Sequence, residues 1–245
     1  MNEDLMMKTV SNGNTYEFST INYFNPTIFM VSNLFSPEEC ERALIEIEDN
    51  AAWRKGAVLE KGSEEAHPGR TNHISGYGYH GWADTFRARA CAVTRMEKFQ
   101  AEGLQLVKYN EGEFYDGHMD AFNPESNDPF FKQAGNRILT GLLYLNDDFE
   151  GGNTTFKHVG KSIKPKQGTA IFFENTNPSQ AFPNPHSLHS ADVVTSGEKI
   201  AANIWFRAGP YDLDMFKQHL GAWYNTGNVP LQWQKYLPKQ EISER

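Results

Sequence analysis

Apolar positions follow helical spacing in the first part of the chain. From about residue 104 they fall instead into short alternating or continuous runs. Thr27-Ile28-Phe29-Met30-Val31 is a β-prone run and predicts a strand. Ser36-Pro37-Glu38-Glu39 then offers an N-cap, a proline at the first helical position and a capping-box glutamate. The helix predicted over 37–50 carries Cys40, Ala43, Leu44 and Ile47 on one face. Residues 54–81 are rich in Gly, His and Tyr and predict loop with short strands. Their histidines, His67, His73 and His80, share no strand register and read as solvated. A second helix is predicted from 84 to 93, running on to about Phe99. Leu104 to Tyr109 alternates as a strand, Glu113 to Asp120 predicts another, and 121–136 is a long loop with Pro124 and Pro129. Arg137 to Leu145 is the most apolar stretch and predicts a central strand, and short strands follow at 154–156, 162–165, 169–173, 193–195 and 201–206.

An α-rich start followed by many short strands predicts a mainly β fold with a helical buttress, either a β-sandwich or a jelly-roll barrel. The expected organisation is a polar lead-in over 1–26 with room for one strand, a domain over 27–207, and a C-terminal extension over 208–245. That extension sets Trp223, Trp233 and several tyrosines among polar residues, with a helix from about Asp212 to Leu220. It is expected to pack on the core or to join subunits in a homodimer.

Composition narrows the function classes. The 245 residues suit one large domain able to bury a core without disulfides. Net charge is −8 and there is no long Lys/Arg run, which disfavours a nucleic-acid partner. Cys40 and Cys91 stand alone, with no metal spacing and no disulfide framework, as in a reducing compartment. Residues 1–10 lack an apolar signal core and no run reaches membrane-span length, so the expectation is a cytoplasmic protein without a membrane partner.

The chemistry-bearing stretch is Tyr115-Asp116-Gly117-His118-Met119-Asp120. On a strand, residues two apart share a face, so His118 and Asp120 would aim an imidazole nitrogen and a carboxylate at one point. A second histidine from a distant strand would complete two nitrogens and one oxygen on one face of a metal, the facial arrangement of non-haem Fe(II) oxygenases. Pro185-His186-Ser187-Leu188-His189 offers two such histidines.

Taken in order, these segments resemble the Fe(II)- and 2-oxoglutarate-dependent dioxygenases of the prolyl 4-hydroxylase type. The resemblance covers about 27–207. It is carried by 28–31 leading to 36–40, Arg70-Thr71, 104–109, 115–120, 137–140, 144–147, 150–154, 164–168, and Ser187-Leu188-His189 through Gly197-Glu198-Lys199 to Trp205. It implies a double-stranded β-helix core, with His118, Asp120 and His189 as iron ligands. It further implies Lys199 as the partner of the distal carboxylate of 2-oxoglutarate, with Tyr109 and Thr154 in the same pocket. Only His189 has the ten-residue spacing to Lys199, which leaves His186 beside the site. The implied cosubstrates are 2-oxoglutarate and O2, with ascorbate (vitamin C) as a stimulant. The substrate side is expected to involve Tyr115, Arg137, Glu174, Phe130 and Phe131. Glu174 stands where the family often has a tryptophan, and the two phenylalanines belong to a predicted lid over 121–136.

The resulting expectation is a hydroxylase acting on an unactivated C–H bond of a peptidyl proline or related amino acid. Asp120 favours hydroxylation over halogenation, because halogenases of this type lack the carboxylate ligand. The alternatives are a small-metabolite oxygenase of the same chemistry, a non-catalytic metal-binding or sensor protein on the same barrel, and a zinc hydrolase, which would have no use for Lys199.

Overall fold

The computed structural model describes residues 7–11, 14–60, 63–65, 67–124, 131–179, 181–226 and 229–236. Antiparallel pairing dominates. A nine-stranded sheet runs in the order Met7–Ser11, Asn14–Asn22, Ile28–Ser32, Ala170–Glu174, Arg137–Tyr144, Lys199–Arg207, Leu104–Tyr109, His73–Tyr77, Arg54–Lys55. Facing it, a four-stranded sheet runs Lys161–Ile163, Thr154–Phe156, His189–Ala191, Tyr115–His118. The two sheets form the jelly-roll core of a mainly β fold.

The period-2 geometry of strands sorts the large sheet into two faces. On Ala170–Glu174, Ala170 and Phe172 enter a core shared with the helices, whereas Ile171 and Phe173 enter the space between the sheets. The helix-side core receives Cys40, Ala43 and Ile47 from helix α1 (Pro37–Asn50), and Ala83, Phe86 and Ala90 from helix α2 (Trp82–Thr94). The capping box at the start of α1 is complete. The Ser36 hydroxyl accepts from the Glu39 N–H at 3.2 Å, and the Glu39 carboxylate accepts from the Ser36 N–H at 2.9 Å. The same carboxylate takes two guanidinium bonds from Arg89, at 2.6 and 2.7 Å, tying α1 to α2.

The structure differs from the sequence expectation in four places. The described residues of the lead-in form two strands that extend the large sheet. Helix α2 stops at Thr94, where Arg95 turns left-handed (φ 59°), and a separate 3-10 turn spans Lys98–Gln100. The strand expected over 113–120 is only Tyr115–His118, so Asp120 lies beyond the sheet. The loop after it contains a one-turn helix, α3 (Phe131–Ala134), and residues 125–130 lie outside the described residues.

Beyond the barrel the chain continues into helix α4 (Leu213–Thr226) and the short α5 (Leu231–Gln234). Phe216 and Trp233 bury themselves against Phe99. Among the described residues no helix is long and apolar enough to cross a membrane.

Candidate metal and cosubstrate site

Strand register brings the two histidines together. His189 and His118 are directly opposed on neighbouring antiparallel strands, with ring centroids 4.3 Å apart. Asp120 closes the group from the bend after His118. Its oxygens lie 3.6 Å from Nε2 of His118 and 3.8 Å from Nε2 of His189. One ligand atom from each of the three residues lies within 4.8 Å of the others, the only such group of His, Cys, Asp and Glu among the described residues. His186 stays outside it and is turned toward His158, at 6.0 Å between ring centroids.

The surroundings prepare each group to bind a cation. Nδ1 of His118 lies 2.9 Å from the Asp116 carbonyl, and Nδ1 of His189 lies 3.0 Å from the Ser187 carbonyl. A carbonyl only accepts, so the proton sits on Nδ1 and the Nε2 lone pair faces the site. Burial, with the His189 imidazole beside it, pushes the His118 pKa well down and keeps its imidazole neutral. For Asp120, burial alone would raise the pKa, but His189, His118 and the Thr140 hydroxyl outweigh it and keep the carboxylate ionised. Thr140 Oγ1 donates to Asp120 at 2.7 Å and accepts from Asn175 Nδ2 at 2.7 Å, which fixes the carboxylate although it has left the strand.

Lys199 shares the cavity with this triad. It opens the strand Lys199–Arg207 directly opposite Tyr109, so both side chains enter from the same face. Lys199 is 1% exposed, and its Nζ donates to the Gly152 carbonyl at 2.6 Å. Among the described residues no carboxylate lies within 4 Å of it. Burial pushes its pKa down to about 7, with only Asp192 opposing. Gly152 must be glycine here: its φ is +62°, and a Cβ would meet the Lys199 stem at 3.2 Å. Burial raises the Tyr109 phenol pKa, keeping it a neutral O–H donor into the cavity. Thr154 is buried, lines the cavity and accepts from the Tyr144 hydroxyl at 2.7 Å.

The cavity holds about 630 Å³. Lys199, Asn203, Trp205 and Arg207 all line it, an alternation along one strand that sequence reading did not exploit beyond Lys199. At its other end Glu102 receives a two-pronged bond from Arg137, at 2.7 and 2.8 Å, and a further bond from Arg207 Nε. Burial works against the Glu102 charge, but the two guanidiniums hold its pKa below the usual value. The Arg137 guanidinium lies 3.7 Å from the Trp205 ring centroid and 4.7 Å from that of Phe122.

The expected substrate-side residues divide. Tyr115 lines the cavity, stacked on His118 at 3.6 Å and 16°, with Arg70 over its other face at 4.4 Å. Arg137 also lines it. Glu174, expected there, does not line it: at the end of its strand its carboxylate accepts from the Thr27 N–H at 2.8 Å. Phe131 opens α3 and does not line the cavity, while Phe130 lies outside the described residues.

Comparison with known proteins agrees with this geometry. Residues 104–207 match the model of the 2OG-Fe(II) oxygenase superfamily. A putative prolyl 4-hydroxylase of Acanthamoeba polyphaga mimivirus is 41% identical over 109 residues, covering 44% of this chain and 45% of that protein. Prolyl 4-hydroxylase 13 of Arabidopsis thaliana is 31% identical over 77% of this chain and 74% of its own length. Among solved structures, the viral collagen prolyl hydroxylase of Paramecium Bursaria Chlorella virus-1, in its 2OG complex, superposes with a TM-score of 0.58. It is 25% identical, over 74% of this chain and 95% of that one. A Trichoplax adhaerens prolyl hydroxylase in complex with a hypoxia inducible factor peptide fragment shares the fold at a TM-score of 0.54 and 14% identity, over 74% of this chain and 83% of that one. With a relative aligned over three quarters of both chains, and with the superfamily model matched across the barrel strands, the chain belongs to the 2OG-Fe(II) oxygenases of the prolyl 4-hydroxylase type, a family of enzymes that implies Fe(II) and 2-oxoglutarate.

Proposed function

We propose that the chain hydroxylates prolyl residues in peptides, using Fe(II), O2 and 2-oxoglutarate. The observation that carries this reading is Lys199, a buried ammonium without a carboxylate partner among the described residues, in the same cavity as a two-imidazole, one-carboxylate group. A cation so buried is costly unless an anion joins it, and a dicarboxylate cosubstrate is such an anion. The donor set suits Fe(II), with two neutral nitrogens and one ionised oxygen leaving further coordination positions open.

In this reading His118, Asp120 and His189 hold the metal. Lys199 and the Tyr109 hydroxyl grip the distal carboxylate of 2-oxoglutarate, and Thr154 completes that pocket. Fe(II) with O2 and 2-oxoglutarate supplies the oxidising chemistry when bound. The balance is one 2-oxoglutarate, one O2 and one C–H consumed, giving succinate, CO2 and one C–OH. The protein's own part is placement and exclusion of water. Thr140 fixes the carboxylate ligand, the Tyr115 ring covers one face of His118, and Phe156 and Phe173 pack around His189. Peptide is favoured over a free metabolite because the cavity continues well past the Lys199 end into the Trp205, Phe122 and Arg137 trough. The names of the relatives point the same way.

The test is a turnover screen of proline-rich peptides against free amino acids, scored by succinate and by the mass of one added oxygen atom. Succinate rising with peptide, one for each hydroxyl formed, supports the reading. A free amino acid turned over in preference would replace the peptide by a metabolite. Absence of succinate under every condition would leave the sensor alternative standing.

A further inference from the structure

We infer that Tyr211, supplied by the chain beyond the residues matched by the family model, is a specificity-determining residue that reads the part of a peptide lying away from the residue being oxidised. The inference rests on the peptide-hydroxylase reading above and deepens it.

The cavity follows one strand. Its inward positions run from Lys199 to Arg207, eight residue steps, with the metal group near the level of Trp205, whose strand partner Thr140 bonds Asp120. A dicarboxylate beside Lys199 fills only one end. Toward the other end, Tyr211 joins Trp205, Phe122, Arg137 and Arg207 in the wall, with the Arg207 guanidinium 5.9 Å from the Tyr211 ring centroid.

Tyr211 is placed by a built support. Its N–H and that of Asp212 both donate to the Phe99 carbonyl, at 2.8 and 2.9 Å. Its own carbonyl accepts from Gln133 Nε2 at 3.0 Å, and two residues earlier the Gly209 N–H donates to the Ala134 carbonyl at 2.7 Å. Immediately after it, the Asp212 carboxylate accepts from the Met215 N–H at 2.9 Å and starts α4. Helix α4 and α5 then lock the segment down by packing Phe216 and Trp233 on Phe99, at ring-centroid distances of 5.0 and 4.8 Å. Phe99 therefore anchors the C-terminal segment through both its carbonyl and its ring. The same short turn leads within three residues to Glu102, which holds Arg137.

The chemistry of this wall suits an extended, proline-rich chain. A polyproline II segment is extended, and its flat proline rings pack on aromatic faces. Trp205, Phe122 and Tyr211 supply such faces.

The test uses the full chain with Fe(II) and 2-oxoglutarate, and two proline-rich peptides. One has about three residues and stays beside the metal. The other has about ten, long enough to reach Tyr211 at about 3.1 Å per residue. The readout is the ratio of the two KM values, checked by calorimetric binding of each peptide. In the parent protein the long peptide should bind more tightly. Tyr211→Ala should raise its KM roughly three- to ten-fold more than that of the short one, and Tyr211→Phe should restore most of the difference. Equal change for both peptides, or no change, overturns the inference, as does a parent protein that binds the two alike. Hydroxylation of the short peptide by the parent protein, scored by succinate and one added oxygen, separates the two failures. If neither peptide is hydroxylated, the enzymatic reading itself fails; if the short peptide is hydroxylated while the KM ratio stays fixed under Tyr211→Ala, only the role of Tyr211 fails.

Discussion

The two ends of the cavity treat buried cations in opposite ways. At the far end, Arg137 and Arg207 converge on Glu102, each through hydrogen-bonded contacts, and the whole group belongs to the framework. At the inner end, Lys199 has a carbonyl and two aromatic rings for company, Tyr109 and Tyr144 at 5.2 and 5.4 Å, and no carboxylate among the described residues. A buried cation paired within the protein is architecture. One whose partner must arrive from solution marks a binding site, because its desolvation is offset only when the anion binds.

The largest effect that would break this comparison is on the triad. Replacing His118, Asp120 or His189 by alanine should abolish both succinate formation and stoichiometric Fe(II) binding, whereas His186→Ala should keep both. Metal content after anaerobic loading, read beside turnover, checks this. Loss of metal in the His186 variant with His189→Ala intact would reassign the ligands.

Glu102→Gln comes next. It leaves two guanidiniums facing a neutral amide in a buried position, and breaking such a pair typically costs about 3–5 kcal/mol. Chemical denaturation should show a loss of that order, together with weaker peptide binding as Arg137 loses its two-pronged anchor. A variant as stable as the parent would mean that water screens the group.

Thr140→Val removes the side-chain donor that, among the described residues, fixes Asp120 after the strand has ended. Loss of such a partner typically lowers metal affinity about 10–100-fold. Thr140→Ser should restore it, and metal titration against a competing chelator would show whether it does.

These two devices mark where sequence reading ran out. His118, Asp120, His189 and Lys199 stand out because each sits in a local pattern, and the capping box of α1 is equally local. Glu102 and Arg207 are 105 positions apart in the chain, and nothing near either announces the other. A clue did exist in the alternation 199, 203, 205, 207, which assigns Arg207 to the Lys199 face once that strand is accepted. Asp120 taught the reverse. The spacing argument assumed that it lies on the strand; the strand ends at His118, and the carboxylate reaches the site because Thr140 and Asn175 hold it there. Glu174 was expected on the substrate side because it stands where the family often has a tryptophan, and nothing local announces its bond to Thr27, 147 positions away.

A smaller effect concerns the protein without its cosubstrate. Unfolded Lys199 keeps its proton to about pH 10.4, while in the fold the ammonium gives it up from about pH 7. Between these values the unfolded state binds more protons, so stability rises with pH. The penalty is complete at and below pH 7 and fades toward pH 10. Lys199→Met should therefore raise the stability of the cosubstrate-free protein by something on the order of 1–4 kcal/mol at neutral pH and by progressively less in alkali. Thermal melts at several pH values would show the convergence. A Met variant less stable than the parent at pH 7 would mean that Lys199 already has a partner in the fold.

The most direct measurement is a 2-oxoglutarate titration of the metal-loaded protein beside its Lys199→Ala variant, with metal content measured on both. A charge-assisted bond in a dry pocket contributes about 1.5–3 kcal/mol, about one decade of affinity for each 1.4 kcal/mol. The expected result is at least a ten-fold rise in the 2-oxoglutarate concentration needed, with full metal retained. Superimposable titrations of the two proteins would place Lys199 outside the cosubstrate site and contradict the account.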